Sequence, residues 1–479
     1  MMRALDKLVR RWQLKAMEHI DTAALLKAGN RRVLERFQRV ARDVPAYAAI
    51  LNAHGVSAGG IRTLDDFTRL CPVIEKQDIF GAYPIDQLCV GGHLGSLAGV
   101  LTSSGQGGRF AFGLSTHRQA RRAAKAIELA LELSFGTDRY STLLINALPM
   151  GVRFSCSTVT IAETSVREDM VCALVEQFAP HHQQTILVTD PLFCKRLLDQ
   201  GRDRGLDWGR FKVHVVLGEE TFGEAFRDYV VRGLGQDPDG WTAGSAISSM
   251  GVGELGLNLF FETTDTVRLR QRAHRQPEAL RPAIGDWQGR VPPLLFVYDP
   301  LRIFVEVIEP DPSGFGALTI SSLDPDSMLP LIRYRTGDRA RLLDTATVAR
   351  TLSDIGGVHL NVPRLPMIAV VGRASDHLPD GRPLLDIKDA LYVRHDIADR
   401  LSGAFRIEHE DTGCCIHVQL SAGVENGGPE FASALDACLP KPNSGDRDRI
   451  KIWSHADFPF GQTLDYERKF NYLDAPRRP

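Results

Sequence analysis

The sequence predicts an α/β fold: a large, multi-layer N-terminal α/β domain that includes a β subdomain, followed by a small, mobile α+β domain. The chain has 479 residues, which is too long for one ordinary hydrophobic core. From about residue 97, strand-like apolar runs alternate with helical patterns, as is typical of a mostly parallel sheet covered by helices. After about residue 290, PLLFVYD, IFVEVIE, GALTISSL and ARLLDT follow one another and indicate a mostly antiparallel region.

The elements can be assigned in chain order. Residues 1–55 are charged and periodic, which predicts helices that end at Pro45, and residues 64–79 alternate short helices with turns. STLLINALP, QQTILVTD and FKVHVVLGEE are predicted strands, and EDMVCALVEQFAP, PLFCKRLLDQGRDRG and GEAFRDYVVRGLG are predicted helices. We place the domain boundary after the strand IAVVG, so that the large domain spans residues 1–371 and the small domain residues 372–479.

Composition narrows the classes of protein that fit. A net charge of -2 gives no overall electrostatic reason to expect nucleic-acid binding. No run of about 18 apolar residues occurs, so we predict no membrane span, and the N-terminal stretch lacks the apolar core of a signal peptide. The eight cysteines form no C-x-x-C pair. Scattered thiols of this kind favour a reducing cytoplasm.

A glycine-rich run at residues 102–109, TSSGQGGR, is the strongest local motif. Glycines let backbone amides approach phosphate oxygens, and hydroxyl and guanidinium groups add hydrogen bonds and charge. The Gly-Lys-Ser/Thr of a Walker A loop is missing. Four segments follow in order: LGEE at 217–220, SMGVGELG at 249–256, PLIRYRTGD at 330–338 and VGRASD at 371–376. YERKF at 466–470 comes last.

The order and spacing of these segments resemble the adenylate-forming (acyl/aryl-CoA ligase) superfamily. PLIRYRTGD is similar almost letter for letter to the phenylacetate–CoA ligase branch, and VPAY, LDDF and PVIEKQDI agree with the N-terminus of that branch. The resemblance extends over nearly the whole chain. It implies an acid–thiol ligase that uses ATP to convert an apolar aryl or fatty carboxylic acid to an acyl-adenylate. The acyl group then passes to a thiol, either CoA or the phosphopantetheine of a carrier protein.

The resemblance implies a role for each matching residue. Glu254 would hold Mg²⁺, a hard cation that prefers carboxylate and phosphate oxygens. Asp338 would accept hydrogen bonds from the ribose hydroxyls, and Arg373 would lie beside the ribose or phosphate near the hinge residue Asp376. Lys469 would reach the substrate carboxylate and the α-phosphate, because attack of one anion on another builds charge that a cation must offset.

Two further groups of residues would surround the nucleotide. Gly218, Glu219 and Gly251 would line the adenine pocket. The loop over the β- and γ-phosphates would consist of Ser103, Ser104, Gly105, Gly107, Gly108 and Arg109. Residues 146–154 and 243–251 are candidate walls of the acid pocket, with Met150 and Phe154 as the large side chains.

Some positions depart from the family pattern. Residues 106–109 read Gln-Gly-Gly-Arg where Thr-Thr-Gly-Lys is usual, and Met250 and Gly253 replace a tyrosine and a threonine. A cysteine zinc cluster found in some relatives has no counterpart, so we predict no zinc. Two alternatives stay open. The chain could be an acyl-protein synthetase that acylates its own Cys414, Cys415 or Cys438, or a degenerate paralogue that binds nucleotide or acyl ligand without turnover.

Overall fold

A computed structural model describes residues 2–17, 19, 21–102, 110–149, 151–238, 246–355, 360–410, 413–425, 428–442, 447–460, 466 and 469–473. It confirms the predicted α/β fold. No helix within these ranges combines the length and the apolar character needed to cross a bilayer.

The N-terminal region consists of helices α1 (Met2–Met17), α2 (Thr22–Asp43), α3 (Pro45–Ala53), α4 (Leu64–Leu70) and α5 (Lys76–Ile79). The prediction that the first helices end at Pro45 is wrong, because Pro45 begins α3. Val44 is extended, as a residue before proline prefers, and breaks the chain between α2 and α3. Proline suits the first position of a helix because its missing N–H would have no partner there.

A short hairpin and one large sheet form the β structure of the first 373 residues. The hairpin pairs β1 (Gly99–Thr102) with β2 (Phe112–Ser115). The large sheet contains β3 (Thr142–Asn146), β4 (Thr160–Glu163), β5 (Gln184–Thr189), β6 (Val213–Leu217), β7 (Ala246–Val252), β8 (Gly256–Phe261), β9 (Leu294–Tyr298), β10 (Ile303–Ile308), β11 (Gly316–Ser322), β12 (Tyr334–Leu343) and β13 (Met367–Arg373). Its order is β10-β11-β12-β13-β9-β8-β7-β6-β5-β3-β4.

The sheet changes from parallel to antiparallel pairing at β7. Strands β3 to β7 pair in parallel, whereas β7, β8, β9, β13, β12, β11 and β10 pair antiparallel. The helices of this region are α6 (His117–Phe135), α7 (Glu168–Phe178), α8 (Pro191–Asp203), α9 (Glu224–Gly233), α10 (Thr264–Arg275), α11 (Pro277–Ile284) and α12 (Thr345–Ile355). Helix α6 packs on one face of the parallel strands, and α7, α8 and α9 pack on the other. Both faces are therefore covered, as the apolar runs predicted.

The chain leaves the large sheet at Arg373. The remaining elements are α13 (Leu384–Ala390), α14 (His395–Ala398), β14 (Leu401–His409), β15 (Cys414–Leu420), α15 (Gly428–Cys438) and β16 (Arg449–Trp453). The three strands form a separate sheet in the order β14-β15-β16. Asp389 joins this part to the rest by accepting hydrogen bonds from the N–H groups of Ala225 and Phe226 at the start of α9. A Cβ at Gly223 would lie 1.9 Å from Asp389 Oδ1, so only glycine fits this contact. The boundary at residue 371 stays a prediction.

A buried network of two arginines and two glutamates joins α9, α10 and β8. Arg227 Nη2 lies 2.8 Å from Glu262, and Arg227 Nε lies 3.0 Å from Glu224. Arg270 Nη1 lies 2.7 Å from the other oxygen of Glu224, and Arg270 also donates to the carbonyl of Phe222. All four charged side chains are at most 2% exposed. Each charge therefore depends on its partners for solvation.

We expect Arg227→Met to destabilise the protein strongly. Loss of this guanidinium leaves Glu262 buried without its cation, a change that typically lowers the free energy of unfolding by about 3–5 kcal/mol. Guanidinium-induced unfolding measures the change. Arg394→Met is the matched control, because Arg394 pairs with Asp396 at the surface. Equal unfolding midpoints for the two variants would contradict the structural role of the network.

Candidate active site

One cavity of about 1760 Å³ brings the predicted site residues together. It lies where the ends of β6, β12 and β13 and the β7–β8 turn meet, and chain segment 469–473 covers it. The predicted residues that line it are Gly218, Glu219, Gly251, Glu254, Asp338, Arg373, Asp376 and Lys469. The predicted phosphate loop (Ser103, Ser104, Gly105, Gly107, Gly108 and Arg109) lies outside the described residues. Thr102, which immediately precedes that loop, does line the cavity.

Glu254 lies in the tight turn between β7 and β8, facing the cavity. The Tyr334 hydroxyl donates a hydrogen bond to its carboxylate. The β1–β2 hairpin approaches the same turn, because a Cβ at Gly113 would lie 2.1 Å from the Gly253 carbonyl oxygen. Both strands that flank residues 103–109 therefore end close to Glu254. The tyrosine orients the carboxylate toward the space that these strands border.

Asp338 and Arg373 are direct partners across β12 and β13. Burial raises the pKa of the Asp338 carboxyl, while the charge of Arg373 acts in the opposite direction. The backbone N–H of Arg373 donates to Asp376 Oδ2 at 3.2 Å. The strand pairing thus holds a carboxylate and a guanidinium side by side at the cavity, with the predicted hinge residue next to them.

Lys469 reaches the cavity from the end of the chain. Its ammonium group lies 2.9 Å from Glu219 Oε2 and donates to the Glu219 carbonyl oxygen at 3.1 Å. Glu219 has a φ of 69°, in the left-handed region that non-glycine residues rarely adopt. A strained residue that contacts a candidate catalytic cation is a feature that clusters at functional sites. The two residues are 250 positions apart in the sequence.

Three residues of the site were missed by the sequence analysis. Lys388 forms an ion pair of 2.6 Å with Glu220, and the Tyr472 hydroxyl donates to the same carboxylate at 3.1 Å. The Lys388 ammonium also lies 3.9 Å from the centre of the Tyr472 ring. These contacts hold residues 469–473 beside the loop after β6. Glu220 could have been suspected from the LGEE motif, but no motif marks Lys388 or Tyr472.

The other end of the cavity is apolar and lies between α6 and the sheet. Leu148, Val152 and Phe154 line it, as does the strand segment 247–251. These residues fall within the two segments predicted as walls of the acid pocket. Met150 lies outside the described residues. Opposite them, α6 contributes Ile127, Leu131 and Phe135. This end suits an uncharged, apolar group.

The carboxylates of the site fit one mode of magnesium binding. The described residues contain no group of three or more His, Cys, Asp or Glu side chains placed to hold a metal ion. A cage made by protein ligands alone is therefore not formed by these residues. Mg²⁺ is usually bound through one or two carboxylates together with substrate phosphates and water. The carboxylate of Glu254, which lines the cavity, fits that mode.

The cysteines proposed for self-acylation are poorly placed for it. Cys414 and Cys415 are at most 3% exposed, and burial raises the pKa of the Cys414 thiol to about 11. Burial also raises the pKa of Cys438. A thiol with a raised pKa is a poor nucleophile near neutral pH. None of the three is among the described residues that line the cavity. This arrangement favours a thiol acceptor from outside the chain.

Asp190 lies behind the site, at the N-terminus of α8. One carboxylate oxygen accepts from the Phe193 N–H at 3.0 Å, and the other has no hydrogen-bond partner among the described residues. Burial, aided by the negative charges of Glu220 and Glu219, raises the pKa of Asp190 to about 7. Between about pH 4 and pH 7, Asp190 is therefore protonated in the folded protein and ionised in the unfolded chain.

This difference predicts a pH-dependent stability. The raised pKa stabilises the fold at low pH, and the free energy of unfolding should fall by up to about 1.4 kcal/mol per pH unit from pH 5 to 7, then level off. Asp190→Asn should lack this slope, because asparagine is neutral yet still caps a helix. Chemical unfolding of both proteins at pH 5, 6, 7 and 8 measures the effect. If the free energies of unfolding of the two proteins differed by the same amount at all four pH values, this result would contradict the raised pKa.

The chain resembles known acyl-CoA ligases in sequence and in fold. No profile of a protein family matches the chain. The chain is 25% identical over 360 residues to phenylacetate–coenzyme A ligase of Escherichia coli (strain K12), an alignment that covers 71% of this chain and 73% of that protein.

Solved structures share the fold. A crystal structure of 2-hydroxyisobutyryl-CoA ligase in the postadenylation state, in complex with R3-HIB-AMP, has a TM-score of 0.68 at 15% identity and covers 96% of this chain and 91% of that chain. The same ligase with 2-HIB-AMP and CoA in the thioesterification state has a TM-score of 0.51 at 15% identity and covers 95% of this chain and 89% of that chain. The chain therefore has the fold of the adenylate-forming acyl-CoA ligases and is similar in sequence to one of them, phenylacetate–CoA ligase.

Proposed function

We propose that this protein activates a carboxylic acid with ATP to give an acyl-adenylate and then transfers the acyl group to a thiol. The observation that carries the proposal is the convergence of Glu254, Asp338, Arg373 and Lys469 on one cavity with an apolar end. The similarity to phenylacetate–coenzyme A ligase, which extends over most of both chains, supports the same reaction.

The first step joins two anions. A carboxylate oxygen of the acid attacks the α-phosphorus of ATP, and the bond to the departing pyrophosphate breaks. Negative charge accumulates between the carboxylate and the phosphate, where the Lys469 ammonium would offset it. Lys469 is already held at the cavity by Glu219. When the substrate carboxylate and the α-phosphate replace Glu219 as partners, the Lys469 ammonium stays paired with a negative charge throughout the step.

The remaining polar residues would orient the nucleotide. Asp338 would accept hydrogen bonds from the ribose hydroxyls, and its neighbour Arg373 would lie beside the ribose or phosphate. Gly218, Glu219 and Gly251 would border the adenine. Glu254 would hold Mg²⁺, which when bound would neutralise phosphate charge. Positioning of this kind lowers the barrier because the reacting atoms no longer lose translational freedom at the moment of reaction.

The second step needs a different arrangement of the site. The sulfur of the thiol attacks the adenylate carbonyl, the thiol proton is lost and AMP departs. We propose CoA as the thiol, with a carrier-protein phosphopantetheine as the alternative. Rotation of the C-terminal part about Asp376 would withdraw Lys469 and admit the thiol, a form of gating by a hinge. The higher TM-score with the postadenylation state fits an arrangement that precedes this rotation.

We expect carboxylate-dependent exchange of pyrophosphate into ATP, with Lys469→Ala lowering the rate by about 10²–10³-fold. A panel of aryl and fatty acids identifies the class of acid. Lys441→Ala is the matched control, because Lys441 pairs with Asp436 on the surface. An unchanged rate in Lys469→Ala would remove this lysine from the adenylation step. Absence of exchange with every acid, in a folded protein that binds ATP, would favour the non-catalytic alternative.

We also expect no stable acyl adduct on the protein after incubation with ATP and acid in the absence of a thiol. The physical reason is the burial of Cys414 and Cys415 and the raised pKa of the Cys414 thiol. Intact-mass spectrometry under denaturing conditions tests this expectation. A covalent adduct that disappears in the Cys438→Ser variant would instead support the self-acylating alternative.

A further inference from the structure

The apolar end of the active-site cavity stops at Phe135, the last residue of α6. Its side chain is 6% exposed and packs in one cluster with Leu131, Leu144 and Val216. The ring centroid lies 4.8 Å from that of His214 on β6. The phenyl ring is therefore held between α6 and the sheet at the point where the cavity ends.

A second cleft of about 1500 Å³ also has Phe135 in its lining. Its walls are α1, the end of α6, the start of α10, part of α12 and residues 360–365. Phe135 is the one described residue that lines both the cavity and the cleft. This residue thus belongs to the boundary of both spaces.

Ionic contacts hold one wall of the cleft in place. Arg10 of α1 lies 2.8 Å from Glu128 on α6 and 2.8 Å from Asp138 just beyond it. Both ion pairs are buried. The cleft is therefore part of the folded structure and does not depend on an apolar contact between α1 and α6.

The lining of the cleft mixes apolar and charged side chains. Leu14, Leu352, Val362 and Leu365 provide apolar surface. The cleft also contains the carboxylates of Glu132 and Asp265 and several basic side chains, among them Arg139. Glu132 accepts a hydrogen bond from the Asp138 N–H, and burial raises the pKa of Asp265. Long basic side chains cover apolar surface with their methylene stems while their charges stay in water.

We propose that Phe135 sets the length limit of the acid substrate. The proposal rests on the proposed function. The wild-type site therefore takes acids whose apolar groups end before this ring.

Kinetics with straight-chain acids from hexanoate to palmitate test this proposal. For wild type, kcat/KM in pyrophosphate exchange should fall at least about tenfold once the chain passes the ring, because a filled pocket rejects added methylenes. Phe135→Ala should raise the palmitate-to-octanoate ratio at least about tenfold, and Phe135→Trp should move the limit to shorter acids. Phe178→Ala is the matched control, because Phe178 is 49% exposed and lines neither space.

The outcomes separate this proposal from the proposed function. The same length profile in wild type, Phe135→Ala and Phe135→Trp would overturn the role of Phe135 while leaving adenylation intact. If Phe135→Ala does not fold, Phe135→Leu should shift the profile in the same direction, and its failure to do so would also overturn the role. If wild type shows no exchange with any acid, the proposed function fails. In that case, titration calorimetry with palmitate and octanoate tests the role of Phe135. The palmitate-to-octanoate affinity ratio should be at least about tenfold higher for Phe135→Ala than for wild type.

Discussion

The buried charges of Arg227, Arg270, Glu224 and Glu262 are the interaction on which the rest of the site depends. Glu224 begins α9 directly after the loop that carries Glu219 and Glu220, and Glu262 follows β8. Glu262 also accepts from the Ser248 N–H at 2.7 Å, which anchors β7 to the end of its partner strand. These four charges are solvated by one another and by backbone groups such as the carbonyls of Phe222 and Pro292. A shift of the loop or of the β7–β8 hairpin would therefore leave a buried charge without partners.

This rigid base supports backbone conformations that would otherwise be unfavourable. Glu219 and Arg333 both have φ values in the left-handed region, at 69° and 51°. Such conformations cost about 1–2 kcal/mol for a residue with a Cβ. Arg333 is held by a buried ion pair with Glu306, and Glu219 is held by contacts with Lys469. The strain at Glu219 turns its carbonyl and its carboxylate toward the same ammonium group.

The C-terminal part packs against this base through an apolar core as well as through polar contacts. The Tyr392 ring lies against Phe226 and Tyr229 of α9, with ring centroids 4.8 and 5.3 Å apart. Asp389 accepts from the start of α9, and Lys388 and Tyr472 share Glu220. The apolar pocket is built from α6 and the central sheet.

The fold followed from local patterns, whereas the site residues followed from the resemblance to a known family. Continuous apolar runs indicated the buried parallel strands. The segment PLIRYRTGD carried the resemblance at Asp338, which lies in β12. The same motif contains Tyr334, whose contact with Glu254 was not predicted, since an aromatic residue in a strand is equally suited to packing. Pro45 was placed at the end of a helix because sequence patterns mark a break in the chain more clearly than they mark which side of it is helical.

The sequence by itself determined the class of fold, the order of the motifs and the residue types available for chemistry. Only the tertiary structure decided that Lys469 lies against Glu219, that Lys388 pairs with Glu220, and that Phe135 lines two cavities. The physical reason is that sequence patterns describe only the structure of neighbouring residues. Periodicity and turn chemistry act over a few residues, whereas these contacts depend on the order of strands in the sheet and on how the last segment of the chain packs against it.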